Sequence, residues 1–208
     1  MGVTMQRPAA ANRTRPMESN EITYERYIAE FVTEPPTMQP YEIIEGIRYI
    51  MNSPLLPHQL TTGKLYIKMY LHGEATGEGI AVISPFDVVI RRKPRLRTRQ
   101  PDILFISKAK FEAAGGAAMN GPLEVAPELI VEVLSPSKTP RTLKKKLEDF
   151  RSIGVREAWI VSMEAETIQV QKLSEAGFET IATYAHGQTA HSVVFPDLRI
   201  AVAEIFAA

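Results

Sequence analysis

The sequence predicts a single α/β domain of the α+β kind, with a central mixed β-sheet flanked by helices. Three observations predict it. Two runs are apolar and rich in β-branched residues, Ile103-Leu104-Phe105-Ile106 and Leu129-Ile130-Val131-Glu132-Val133-Leu134, the second interrupted only by Glu132, as buried strands are. Between the second run and another at 155–163 lies a segment with helical periodicity, which joins two buried strands as a crossover connection does. Finally, 45% hydrophobic and 23% charged residues over 208 positions is ordinary globular composition, and enough chain for one sizeable core.

Composition also excludes. The absence of cysteine removes disulfides and thiolate metal sites and suits a cytoplasmic protein. Oxygen and nitrogen ligands remain, which favour Mg²⁺, Mn²⁺ or Ca²⁺. Net charge is zero, so attraction to nucleic acid has to come from local clustering. No run approaches the ~18 apolar residues of a membrane span. The N-terminus has scattered arginines and no apolar core, unlike a secretory signal.

The elements follow in order. Residues 1–20 lack periodicity and are expected to be a disordered tail, with Met17 an alternative start, so the folded domain is expected over 21–208. Tyr24, Tyr27, Ile28 and Phe31 predict a short amphipathic helix, ended by Glu34-Pro35-Pro36. Residues 41–52 predict a hairpin turning at Glu45-Gly46. Pro57 opens a helix to about Leu71, with Leu60, Leu65, Ile67 and Met69 as core candidates and Gly73, Gly77 and Gly79 as breaks. Residues 80–90 predict a strand bent at Ser84-Pro85. After strand 102–107 come a short helix, a loop and the central strand 128–134. A helix then starts at Thr139 or Pro140 and ends near Gly154. Strand 155–163, a hairpin of 167–173 with 178–184, and an apolar tail from Phe195 complete the chain.

The chemistry concentrates between Pro101 and Phe150. Glu132 has two apolar neighbours on each side, so its carboxylate is buried, and an isolated buried charge is costly. Asp102 poses the same problem at the head of the neighbouring strand. A divalent cation is the expected compensation, in preference to an arginine partner. Lys146 lies on the flank of the buried stripe Leu143, Leu147, Phe150 and Ile153 and can reach inward, whereas Lys145 points to solvent. Glu42 is a third acid, at a strand start, and His58 is a minor candidate at a helix start. Six basic residues stand in nine positions, Arg91, Arg92, Lys93, Arg95, Arg97 and Arg99. The last three alternate onto one side of an extended chain, as either a solvated loop or a phosphate-contacting edge.

These residues resemble a known pattern. Pro101-Asp102, Val131-Glu132-Val133-Leu134-Ser135-Pro136-Ser137, and Lys146 ahead of Phe150 and Gly154-Val155-Arg156-Glu157 resemble the Uma-two (Uma2) family of restriction-endonuclease-like proteins, within the PD-(D/E)XK nuclease superfamily. The resemblance spans about residues 22–206 and takes in Tyr41 to Gly46, Ser53-Pro54 with His58, and Asp87. It implies a restriction-endonuclease-like fold and a Mg²⁺ (or Mn²⁺) dependent DNA endonuclease. It also implies metal on Asp102 and Glu132 with help from Glu42, catalysis by Glu42, Asp102, Glu132 and Lys146, and a homodimer by analogy. Leu134 stands where the superfamily's in-strand lysine belongs, and Lys146 matches a variant lysine from the next helix. Thr142, Ile47 and Ser162 depart from acids common in the family. Arg95, Arg97, Arg99 and His58 are the expected nucleic-acid contacts. Two other classes compete: a catalytically inactive nucleic-acid-binding protein with a nuclease fold, and a partner-binding module whose acids are surface groups.

Overall fold

The computed structural model describes residues 21–33, 40–135 and 139–206. The expected tail at 1–20 and the Glu34-Pro35-Pro36 stop lie outside the described residues. In chain order the elements are α1 (Tyr24–Thr33), β1 (Tyr41–Ile44), β2 (Ile47–Ile50), α2 (Leu56–Thr76), β3 (Gly79–Ile83), β4 (Val88–Arg91), β5 (Arg97–Arg99) and β6 (Ile103–Ser107). There follow α3 (Lys108–Ala113), β7 (Leu129–Leu134), α4 (Pro140–Ser152), β8 (Glu157–Ser162), β9 (Thr167–Ser174), β10 (Gly177–Tyr184), β11 (Thr189–His191), β12 (Arg199–Ala201) and α5 (Val202–Phe206).

Six strands form the central sheet, in the order β10-β9-β8-β7-β6-β3. The β7–β8 pair is parallel and every other neighbouring pair antiparallel, so the sheet is mixed as expected. Helix α4 is the crossover between the parallel strands. It starts where local chemistry dictates: Thr139 accepts the Thr142 N–H at 3.2 Å, Pro140 occupies the first turn, and Gly154 follows the helix with φ 98°.

Strand alternation divides the core between the two faces. Ile103, Phe105, Leu129, Val131 and Val133 face α2, the β11–β12 hairpin and α5. Leu104, Ile106 and Ile130 face α4 through Leu147 and Phe150. By the same alternation Glu132 and Asp102 belong to the α4 face. A third cluster, Ile22, Tyr27, Tyr41, Ile43 and Leu96, packs α1 against the first hairpin. That hairpin turns where expected, with Glu45 at φ 54° and Gly46 at φ 75°, the left-handed pair of a type I′ turn.

Three expectations need correction. Residues 80–90 form two strands, β3 in the central sheet and β4 paired with β5, on either side of the expected bend at Ser84-Pro85, because their pairing partners differ. Gly73 does not break α2; it is buried inside the helix, where a Cβ would come 2.4 Å from the Gly79 carbonyl. The helix instead ends at Gly77, whose φ is 69°. Leu60 and Ile67 are not core: they are 55% and 54% exposed, on the side of α2 away from the sheet.

Glu157 is a buried carboxylate that the sequence does not mark as special. Its oxygens accept from the Trp159 indole at 2.6 Å, the Ser192 hydroxyl at 3.0 Å, and the Val193 and Val194 N–H groups at 2.8 Å. It ties the C-terminal segment to β8. Glu157→Ala would strand the buried Trp159 and Ser192 donors and free two half-buried N–H groups, so a loss of about 2–4 kcal/mol is expected. Urea denaturation checks this, and a midpoint within error of wild type would contradict it.

Candidate active site

The site forms where β6 and β7 run out toward α4. Their register pairs Ile103 with Val131, and one step further sets Asp102 opposite Glu132 on the same face. Here β6 leaves the ladder. The Asp102 carboxylate takes over the vacated hydrogen bond, with the Val133 N–H donating to its Oδ2 at 2.6 Å. Proline before Asp102 cannot donate to a ladder, which is why the strand ends there.

Lys146 enters from α4. Its ammonium is 2.7 Å from Glu132 Oε1 and 3.2 Å from Glu42 Oε1, and it donates to the Gln100 carbonyl at 2.6 Å. Glu132 is completely buried, Lys146 is 5% exposed and Glu42 is 7% exposed. The cation compensating Glu132 in this structure is therefore the Lys146 ammonium. The expectation that Lys146 reaches inward while Lys145 is solvated matches the structure. Leu134 leaves no in-strand cation, and α4 supplies one from the opposite direction.

Glu42 is doubly held. Arg99 donates to its Oε2 at 2.5 Å, and the Gln100 N–H donates to Oε1 at 3.3 Å. Arg99 also clamps Asp149 at 2.6 and 2.7 Å, and Arg97 reaches Asp149 at 2.6 Å and Glu45. Of the alternating arginines, Arg97 and Arg99 share one side of β5, both reaching Asp149, while Arg95 lies outside the strand. That side faces carboxylates, so for Arg97 and Arg99 neither a solvated loop nor an open phosphate edge describes it. Arg95 is more than half exposed, beside Glu21 at 3.5 Å. His58 stands at the edge of the cluster, its Nε2 3.5 Å from Asp102 Oδ2 and its Nδ1 3.4 Å from the Thr62 hydroxyl.

Two participants escaped the sequence reading. Asp149 lies on the same flank of α4 as Lys146, one turn on, and that spacing was a usable signal. Gln100 contributes both backbone groups, and its side chain donates to Asp87 at 2.7 Å, where the Tyr27 hydroxyl also donates at 2.5 Å. Backbone contacts leave no mark on sequence.

Electrostatics follows from this packing. Burial alone would depress the Lys146 ammonium, but the carboxylates of Glu132, Glu42 and Asp102 outweigh it and hold its pKa above the ordinary lysine value. Burial pushes Glu42 upward, yet Lys146 and Arg99 carry it below the usual glutamate value. Desolvation raises Asp87 despite its two hydrogen bonds. A carboxyl with a depressed folded pKa stabilises above its unfolded value, about 4.3, and loses that contribution as pH falls through the folded value. Acid unfolding below about pH 4.3 is therefore expected to be shallower in Glu42→Gln than in wild type, as circular dichroism across pH can measure.

The donor set suits a hard cation. Asp102 and Glu132 present carboxylate oxygens from adjacent strands, and Mg²⁺ typically keeps several waters and needs only one or two carboxylates. Among the described residues no group of three His, Cys, Asp or Glu side chains is arranged to hold a metal ion.

A family model for Uma2, described as a putative restriction endonuclease, matches residues 25–203. The chain belongs to the Uma2 family. The match covers every element from α1 to the start of α5, including all the clustered residues. The fold also matches a solved structure, the crystal structure at 1.96 Å resolution of a putative nuclease of DUF820 from Anabaena variabilis ATCC 29413. That likeness has a TM-score of 0.70 at 17% identity, over 87% of this chain and 97% of the other, and it shows the nuclease-like fold. A comparison with curated proteins found no match. Within this Uma2 chain no helix of the described residues is long and apolar enough to cross a membrane.

Proposed function

We propose that the chain is a metal-dependent endonuclease that hydrolyses DNA phosphodiester bonds in the cytoplasm, through Asp102, Glu132, Glu42 and Lys146. The observation that carries this reading is the convergence of three carboxylates, from β1, β7 and the head of β6, on one buried ammonium from α4. Glu42 is also paired with Arg99, which leaves Asp102 and Glu132 sharing the one lysine, a charge arrangement that a cation completes. The assembly expected by analogy with the superfamily is a homodimer.

Asp102 and Glu132 are the residues that would hold Mg²⁺ or Mn²⁺. A bound ion would supply Lewis-acid polarisation of the scissile phosphate and a lowered pKa for the attacking water. Glu42, gripped by Arg99 and the Gln100 N–H, sets where Lys146 stands, directly or through water at the metal. Lys146 stays protonated, so it acts as an electrostatic donor to the charge developing on phosphoryl oxygens and not as a base. Its three contacts are Glu132, Glu42 and the Gln100 carbonyl, and reaching a phosphate means releasing one of them. Glu132 is the partner whose charge a metal would take over. Arg95 and His58 are assigned to the DNA backbone, while Arg97 and Arg99 serve it by fixing the site's carboxylates.

One observation favours a second reading, a nucleic-acid-binding protein that never cleaves: Lys146 already satisfies its acids without any metal. Calorimetry with Mg²⁺ and Mn²⁺ on wild type and Glu132→Gln, followed by plasmid nicking, separates the two. The nuclease reading expects metal binding and metal-dependent nicking in wild type, both lost in the variant. Salt-sensitive DNA binding with no nicking in either metal would establish the second reading.

A further inference from the structure

We infer that the outward face of α2 is a self-association surface on which a second copy of this chain docks, helix against antiparallel helix. The inference rests on helix packing and not on the nuclease reading. It gives the expected homodimer a specific face. Helix α2 is apolar on both sides, a pattern otherwise found in helices buried all round. Leu65 and Met69 face the sheet and are fully buried, with Thr61, Thr62 and Gly73 beside them. On the opposite side Leu56, Leu60, Ile67, Tyr70 and Leu71 are 70%, 55%, 54%, 44% and 56% exposed, with Leu55 adjoining at 64%. At 100° per residue these five span little more than a quarter of the helix circumference. The other exposed positions between 55 and 71 are Pro57 and Gln59, and the half-buried lysines Lys64 and Lys68 border the stripe on one flank, with Lys68 turned to Glu204.

Three features commit the surface to a second copy. The stripe is self-complementary: an antiparallel pairing centred between Gly63 and Lys64 sets Leu56 against Leu71 and Leu60 against Ile67, as an isologous two-fold contact requires. Its extent is roughly 600 Å² per chain, at the upper end for a monomer's largest apolar patch and close to the about 800 Å² per partner of a stable interface. Gly63 lies at the centre of the same stripe, and a Cβ there would meet nothing within 4 Å in this chain. Glycine inside a helix is unfavourable, and the chain's own packing does not call for it. A partner helix crossing at that point does, because it allows close backbone approach.

The 208-residue chain has no cysteine, so a single introduced thiol reports position directly. Sedimentation equilibrium of wild type should give a dimer. Gly63→Cys should cross-link to a covalent dimer under mild oxidation, whereas Lys145→Cys, on α4 at the other face of the sheet, should not. Leu60→Glu and Ile67→Glu should each weaken the dimer by roughly 100-fold or more while leaving circular dichroism unchanged, since each buries a carboxylate against the apolar side chain that faces it in the other copy. A monomeric wild type, including one in which residues 1–20 cover the stripe, would overturn the proposal. So would a dimer indifferent to both glutamates, which would place its interface elsewhere. A dimer that never nicks DNA would leave this inference standing and remove the nuclease reading; an active monomer would do the reverse.

Discussion

Replacing Lys146 by methionine is expected to destabilise the fold by about 3–5 kcal/mol, measured by urea denaturation. The structure gives this lysine a part in the fold as well as in the site. Glu132 is wholly buried and 2.7 Å from the ammonium, and Glu42 is 3.2 Å from it. Removing the cation leaves Glu132 charged in an apolar strand layer, whereas Glu42 keeps Arg99. The companion experiment is the double variant Lys146→Met, Glu132→Leu. With both charges removed and the volume roughly kept, stability should return to within about 1–2 kcal/mol of wild type. Equal deficits for the single and double variants would mean that Lys146 stabilises through packing alone.

Asp102→Asn is expected to leave the fold nearly intact and to lower metal-dependent cleavage by roughly 10³-fold or more, about 4 kcal/mol in the barrier. The asparagine carbonyl oxygen still accepts from the Val133 N–H, so the end of β6 stays in place. What disappears is one of the two charges proposed to hold the ion. Nicking rates at saturating Mg²⁺, with denaturation as control, read both effects. Undiminished cleavage would remove Asp102 from the chemistry and with it the proposed two-carboxylate site.

Much of the architecture was legible in local pattern. The apolar runs at 103–106 and 129–134, the stripe on α4 and the Glu45-Gly46 turn each determine their element through sterics and periodicity within a few residues. Lys146 was legible for the same reason, because helical angle alone places it beside Leu147 and Phe150. Leu60 and Ile67 were misread because α2 is apolar on both sides, and periodicity cannot say which side meets the sheet. The split of 80–90 was hidden because pairing partners are remote: β3 meets β6, and β4 meets β5.

The sequence by itself determined which side chains are acidic or basic, which segments are strands or helices, and that a carboxylate had to be buried at Glu132. These are consequences of chemistry within one turn or one strand. Only the tertiary structure decided what compensates that carboxylate. The contacts of Lys146 with Glu42, of Arg99 with Asp149 and of Gln100 with Lys146 join residues 104, 50 and 46 positions apart. Charges that far apart along the chain come within 3 Å or so because sheet order and crossover bring their backbones together, and no local preference encodes that distance.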